Sequence, residues 1–280
     1  MSWMFFNTGG NKSLDLSEWD TSNVTNMTNM FKNSKNLKTI YVSDLWDTSK
    51  VTSSTSMFEG CTALVGGNGT AYNSAYIDKT YARIDTPTTP GYLTASANMK
   101  TYKLKTGLEF NALIPSTTTS IVFTDEVMPS SATLIDIDAD GDGGVVGWLD
   151  GTTFKISSQK PGRKIIANED SSYMFSGDEN NGNKRTVTRR LTSITGLENL
   201  DTSNVTNMRS MFSFVSYNTT TCLIEGLSGW DTSNVTSMPS MFHYAGYKAT
   251  SFNLDLSGWN TSNVTNIKFM FYSAGYNATS

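Results

Sequence analysis

The chain has 280 residues, enough for one large domain or two small ones. Charged residues make up 16% and the formal net charge is −4, so no basic field favours nucleic acid. No apolar run approaches the roughly 18 residues of a membrane span, and one His with two Cys leaves little for triads or zinc sites.

The first element is a repeat. Met4-Phe5 opens it, and Leu14, Leu16 and Trp19 read as a short strand entering a corner. Asp20-Thr21-Ser22-Asn23 is corner chemistry, because these side chains bond local backbone and cap turns. Val24, Met27, Met30 and Phe31 then fall at the spacing of one buried helical face. A worn copy runs from Trp46-Asp47-Thr48-Ser49-Lys50-Val51 to Met57-Phe58. Residues 1–58 are therefore expected to be the last coils of one solenoid.

Residues 59–96 change character. Gly66-Gly67-Asn68-Gly69 is turn-rich, Tyr72, Tyr76 and Tyr81 follow, and Pro87 and Pro90 prevent strand continuation. A solenoid needs a terminal cap over its last apolar face, and this stretch fits one. A small-residue linker, Thr94 to Asn98, ends it. Residues 97–168 carry short β-like runs at Ser120–Phe123, Leu134–Ile137, Val145–Trp148, Thr153–Ile156 and Lys164–Ile166, punctuated by Pro and Asp-Gly turns. They read as a small β-rich cap for a second solenoid.

That second cluster, 169–280, repeats the first pattern. Met174-Phe175 comes first, then Leu200-Asp201-Thr202-Ser203-Asn204-Val205, Trp230-Asp231-Thr232-Ser233-Asn234-Val235 and Trp259-Asn260-Thr261-Ser262-Asn263-Val264. In five copies a Met-Phe pair follows eleven residues after the Trp or Leu. Anchor spacings of 26 and 27, then 37, 30 and 29 residues, suit a leucine-rich coil of one strand and one helical or 3₁₀ turn. The expected fold is thus an α/β repeat: two clusters of leucine-rich-repeat solenoid coils separated by the β-rich cap. Both clusters begin or stop in mid-repeat, so head-to-tail stacking of open coil faces is expected, with another copy or with a continuation. Asn23, Asn204, Asn234 and Asn263 match the glycosylation sequon but read better as ladder residues inside the stack.

Trp-Asp-Thr-Ser-Asn-Val-Thr-Asn-Met followed by Met-Phe resembles the BspA-like leucine-rich repeats of bacterial surface proteins. It is also similar to the related 26-residue lipoprotein repeats of Listeria and Mycoplasma. The resemblance covers 1–58 and 170–280, with departures at Leu200 and Ile267. It implies a secreted or wall-attached protein that binds host proteins or other cells, and it carries no catalytic residues.

Among residues with chemistry, Asp136, Asp138 and Asp140 followed by Gly141 match the start of an EF-hand loop. Position 12 is Gly147 rather than Glu, and the flanks read as strand. These three stay candidates for a weak calcium site, against a plain acidic hairpin turn. No other cofactor is expected. His243 has no repeated partner, and Cys61 and Cys222 read as free buried thiols. Tyr217, Tyr247 and Tyr276 recur six residues after their Met anchors, with Tyr244 and Tyr272 nearby. Stacking would align them as a ladder, either packing or a binding stripe.

The functional expectation is a non-enzymatic, extracellular or cell-surface bacterial protein. It would adhere to a host or bacterial surface protein or glycan through its solenoid surface. The alternative is a structural subunit of a self-assembling extracellular filament or appendage. No second carboxylate is placed to suggest a glycosidase cleft.

Overall fold

A computed structural model describes residues 1–97, 99–180, 185–187 and 190–279, with side chains outside 178–189. Asn98, at the end of the expected linker, and Ser280 lie outside the described residues. The chain divides into two compact units, Met1–Lys100 and Thr101–Ser280.

In both units successive repeats lie over one another in parallel. Unit 1 pairs β1 (Ser13–Asp15) with β2 (Thr39–Val42), and β2 with β3 (Thr94–Ala95), all parallel. In unit 2 a ladder of single parallel bridges joins Asp170, Asn207, Ser237 and Asn266, one from each repeat.

The Met-Phe segment is not helical, and the α/β leucine-rich-repeat solenoid expected above is overturned. Among the described residues the one α-helix is α1 (Gly107–Leu113), outside the repeats. The reason is visible in the backbone. Asn29, Asn33, Ser210 and Ser240 have φ of 56°, 62°, 51° and 56°, whereas an α-helix needs φ near −63° throughout. The spacing 24, 27, 30, 31 arises instead from overlapping tight turns. Alternate amides close a turn within their own repeat: Met30 N–H donates to Met27 O (3.2 Å) and Lys32 N–H to Asn29 O (3.2 Å). The amides between them donate to the next repeat: Asn29 to Thr55 O (3.0 Å), Phe31 to Met57 O (2.9 Å), Asn33 to Glu59 O (2.7 Å). Unit 2 repeats this at Phe175→Met211 O (2.9 Å), Phe212→Met241 O (2.9 Å) and Phe242→Met270 O (2.8 Å). Each buried amide is thereby satisfied, half locally and half by the neighbour. A helix would bond all of them locally and leave none for stacking.

The corner string has one task per letter. Asp231 Oδ1 accepts from Ser233 N (2.9 Å), fixing the turn. Buried Thr232 donates Oγ1–H to Asn260 O (3.0 Å) and accepts from Asn260 N (2.8 Å) in the next repeat. Asn234 Nδ2 reaches back to Ser203 O (2.7 Å), and Asn263 Nδ2 to Ser233 O (2.6 Å). Val235 goes into the core. Thr21 and Thr202 act as Thr232 does, on Asp47 O (2.8 Å) and Asp231 O (2.9 Å).

The Phe of each pair forms a stacked column. Phe5, Phe31 and Phe58 lie 5.5 and 5.4 Å apart at 4° and 7°. Phe175, Phe212, Phe242 and Phe271 lie 5.1, 5.3 and 5.3 Å apart. In unit 1 the column ends under aromatic cover: Tyr92 meets Phe58 edge-on at 5.2 Å, with Tyr72 and Tyr81 against Tyr92. Buried Asp85 ties the covering loops. It accepts from Asn68 N (2.8 Å), Thr70 N (2.9 Å), Thr70 Oγ1 (2.6 Å) and Gly91 N (3.2 Å).

Unit 2 begins with α1, whose capping box joins Thr106 and Glu109. The strands that follow are β4 (Ser120–Phe123), β5 (Ile135–Asp136), β6 (Val146–Asp150), β7 (Thr153–Ser157) and β8 (Ile165–Ile166). Beyond them come β9 (Asp178–Asn180), β10 (Arg185–Val187), β11 (Ser193–Thr195), β12 (Leu200–Asp201) and β13 (Leu223–Ile224). One mixed sheet runs β13-β11-β4-β7-β6-β5. The β-rich stretch therefore does not stand apart as a separator. Repeat strands β11 and β13 extend its sheet in parallel, and Phe110, Ile121, Phe154, Phe175 and Phe212 share one core.

Candidate functional site

The tight turns of unit 2 project an aromatic face. Turn geometry puts the residue six after each Met at the same height in every repeat, so Tyr217, Tyr247 and Tyr276 stack. Successive rings are 5.0 Å apart at 20° and 13°. Tyr244 meets Tyr217, Tyr247 and Tyr272 edge-on at 5.9, 5.4 and 5.5 Å. The structure thus brings all five tyrosines together. Tyr217, Tyr244 and Tyr247 are half-buried, and Tyr272 and Tyr276 are exposed. Partial burial, with neighbouring phenols, pushes the Tyr247 hydroxyl above its ordinary pKa.

Two members were not singled out as site residues by spacing. Phe214 stacks on Tyr244 at 5.1 Å, and His243 lies against Tyr244, Phe214 and Tyr272 at 4.5, 5.4 and 5.4 Å. Phe214 and Tyr244 both hold φ of 55°. A left-handed φ costs a bulky L-residue roughly 1–2 kcal/mol; Asn7, Asn33 and Ser273 hold the same place, three after the Met, in other repeats, while Trp3, Tyr173 and Phe269 hold a left-handed φ just before theirs. The signal for Phe214 was its place three after the Met anchor, where Tyr244 recurs.

The acidic loop differs from its EF-hand reading. Asp136 is not with the other carboxylates. It faces Lys105 (3.4 Å) and accepts from Asp138 N (3.0 Å). The group that converges is Asp138, Asp140 and Asp142, with ligand atoms within 4.8 Å of one another. Asp142 was missed because EF-hand spacing puts position 7 on a backbone carbonyl. Local bonds hold the loop: Asp142 N donates to Asp138 Oδ2 (3.0 Å) and to Asp140 Oδ1 (3.2 Å). Thr101 donates N–H to Asp142 Oδ2 (2.6 Å) and Oγ1–H to Asp140 Oδ2 (2.9 Å). Gly144 is required here, since a Cβ would sit 1.5 Å from Thr101 O.

Both cysteines are free, Cys61 buried and Cys222 half-buried. Burial pushes the Cys61 thiol up to about 12, too high for a nucleophile. No helix among the described residues is long and apolar enough to cross a membrane.

The family model described as "Mycoplasma protein of unknown function, DUF285" matches residues 1–81 and 169–278. No curated protein and no solved structure matches the chain.

Proposed function

We propose that this chain, which belongs to the family of Mycoplasma proteins of unknown function called DUF285, is a non-enzymatic adhesion protein of a bacterial cell surface. Its partner is a surface protein or glycan, held by the aromatic face of unit 2. One observation carries the reading. Five tyrosines converge on one face in mutual ring contact, and two of them, Tyr272 and Tyr276, are exposed. Rigid aromatic rings with a polar tip supply contact area at low entropic cost. The test is adhesion of beads coated with the chain to bacterial and host cells, and to protein and glycan panels. Tyr247→Ser with Tyr276→Ser should lower adhesion about tenfold or more while thermal stability holds, as hot-spot truncations of about 2 kcal/mol do. Equal adhesion by the variant would remove the reading.

A second reading is self-association into a filament, supported by the apolar side chains of the last described repeat. Ile267, Phe269, Phe271 and Tyr272 are exposed, whereas Met238, Met241 and Phe242 are buried beneath that repeat. Mass in solution tests it: a concentration-dependent oligomer that Phe271→Asp dissolves supports it, and a monomer at micromolar concentration ends it.

A further inference from the structure

We propose that Asp138, Asp140 and Asp142 together hold one Ca²⁺ ion, with Asp138 as the buried anchoring ligand. The three carboxylates converge, but convergence of acids is not sufficient. The second observation is Asp138 itself. Its side chain is fully buried at 0% exposure, and its Oδ1 has no hydrogen-bond donor. A buried carboxylate oxygen without a donor costs several kcal/mol unless a proton or a cation meets it. The charged groups around it do not resolve this. Lys105 donates to the backbone O of Asp138 and pairs with Asp136, Lys103 is held by Glu169 (2.7 Å), and Asp140 and Asp142 add like charge. An all-oxygen, carboxylate-rich loop with tight turns at Gly141 and Gly143 suits Ca²⁺ rather than a softer ion.

The competing occupant is a proton on Asp138. Asp140 and Asp142 lie close enough to share it, the ligand atoms of the three carboxylates being within 4.8 Å of one another.

The experiment is calorimetric titration of the full chain with CaCl₂ at pH 8 and pH 5.5, with melting temperature followed in parallel. One saturable site is expected at pH 8, with Kd on the order of 10⁻⁴–10⁻³ M. Calcium should raise the melting temperature at pH 8. Asp138→Asn should abolish binding while melting no lower than the calcium-free parent at pH 8, because a buried charge is removed. If Asp138→Asn does not fold, exposed Asp140→Asn should weaken the titration. A stability profile that changes with pH but not with calcium assigns the site to a shared proton and overturns the proposal. An equal response to MgCl₂, or unchanged binding by Asp140→Asn, overturns it as well.

Discussion

Phe242 and Phe271 occupy the same place in adjacent repeats and stack at 5.3 Å, yet the first is 0% exposed and the second 49%. Phe58, the last of its column in unit 1, is fully buried because Tyr92 stands over it. The repeat string therefore specifies a position within a stack and says nothing of what lies above. Burial of a Met-Phe pair needs a layer on each side, since Met4 is exposed although the Met30 repeat lies against its own. Where a layer is another repeat the cover is a copy of the same side chain, and over Phe58 in unit 1 it is a group of tyrosines.

The largest expected effect separates the inner and outer repeats. Phe242→Ala should cost about 3–5 kcal/mol in urea denaturation, the range for a fully buried Phe. Phe271→Ala should cost under about 1 kcal/mol, because half of its surface is already in water. Equal losses would show that the outer repeat is covered in solution.

The corner threonines give a smaller contrast. Thr232→Val leaves Asn260 O without its donor and Asn260 N–H without its acceptor, and should cost about 1–3 kcal/mol. Thr261 is exposed, so Thr261→Val should be near neutral by the same measurement.

The tyrosine cover of unit 1 depends on Asp85. Burial pushes its pKa up, but the bonds from Thr70, Gly91 and Asn68 outweigh this and hold it below the usual carboxylate range. A lowered folded pKa means that its contribution is present above the unfolded value near 3.9 and is lost as pH falls through the folded one. Asp85→Asn should therefore lower unit 1 stability at pH 7 by about 1–3 kcal/mol, the worth of hydrogen bonds to a charge. The gap from the parent should close toward pH 3. A gap that persists there would mean the loops are tied by shape rather than charge.

The smallest effect concerns the left-handed turns. Unit 1 places Asn29 where unit 2 places Ser240, both at φ 56°. Asn tolerates that region better than Ser, so Ser240→Asn should be neutral or raise stability by under about 1 kcal/mol. Ser240→Val should lower it by roughly 1–2 kcal/mol.

Much of the tyrosine ladder was legible because a fixed count from Met241 must place Tyr247 over Tyr217 once repeats stack. Phe214 was harder to single out, since its aromatic identity recurs only at Tyr244. In the acidic loop, spacing from an EF-hand pointed to Asp136 and passed over Asp142. Lys105 takes Asp136 and Thr101 draws Asp142 inward, and both come from the stretch before α1, more than thirty residues earlier in the chain.

By itself the sequence determined the repeat, its period and which side chains recur at each height, because stacking copies must present like to like. It also set the runs at 120–123 and 153–156 as strands, where β-branched and aromatic residues cluster. Tertiary structure alone decided the backbone of the Met-Phe segment. Val24, Met27, Met30 and Phe31 have helical spacing, but their neighbours need amides from the repeat beneath. A helix keeps every amide for itself, whereas overlapping turns with left-handed Asn and Ser release every second one. The same demand joins β11 to β4, a pairing between residues some seventy positions apart that no local pattern encodes.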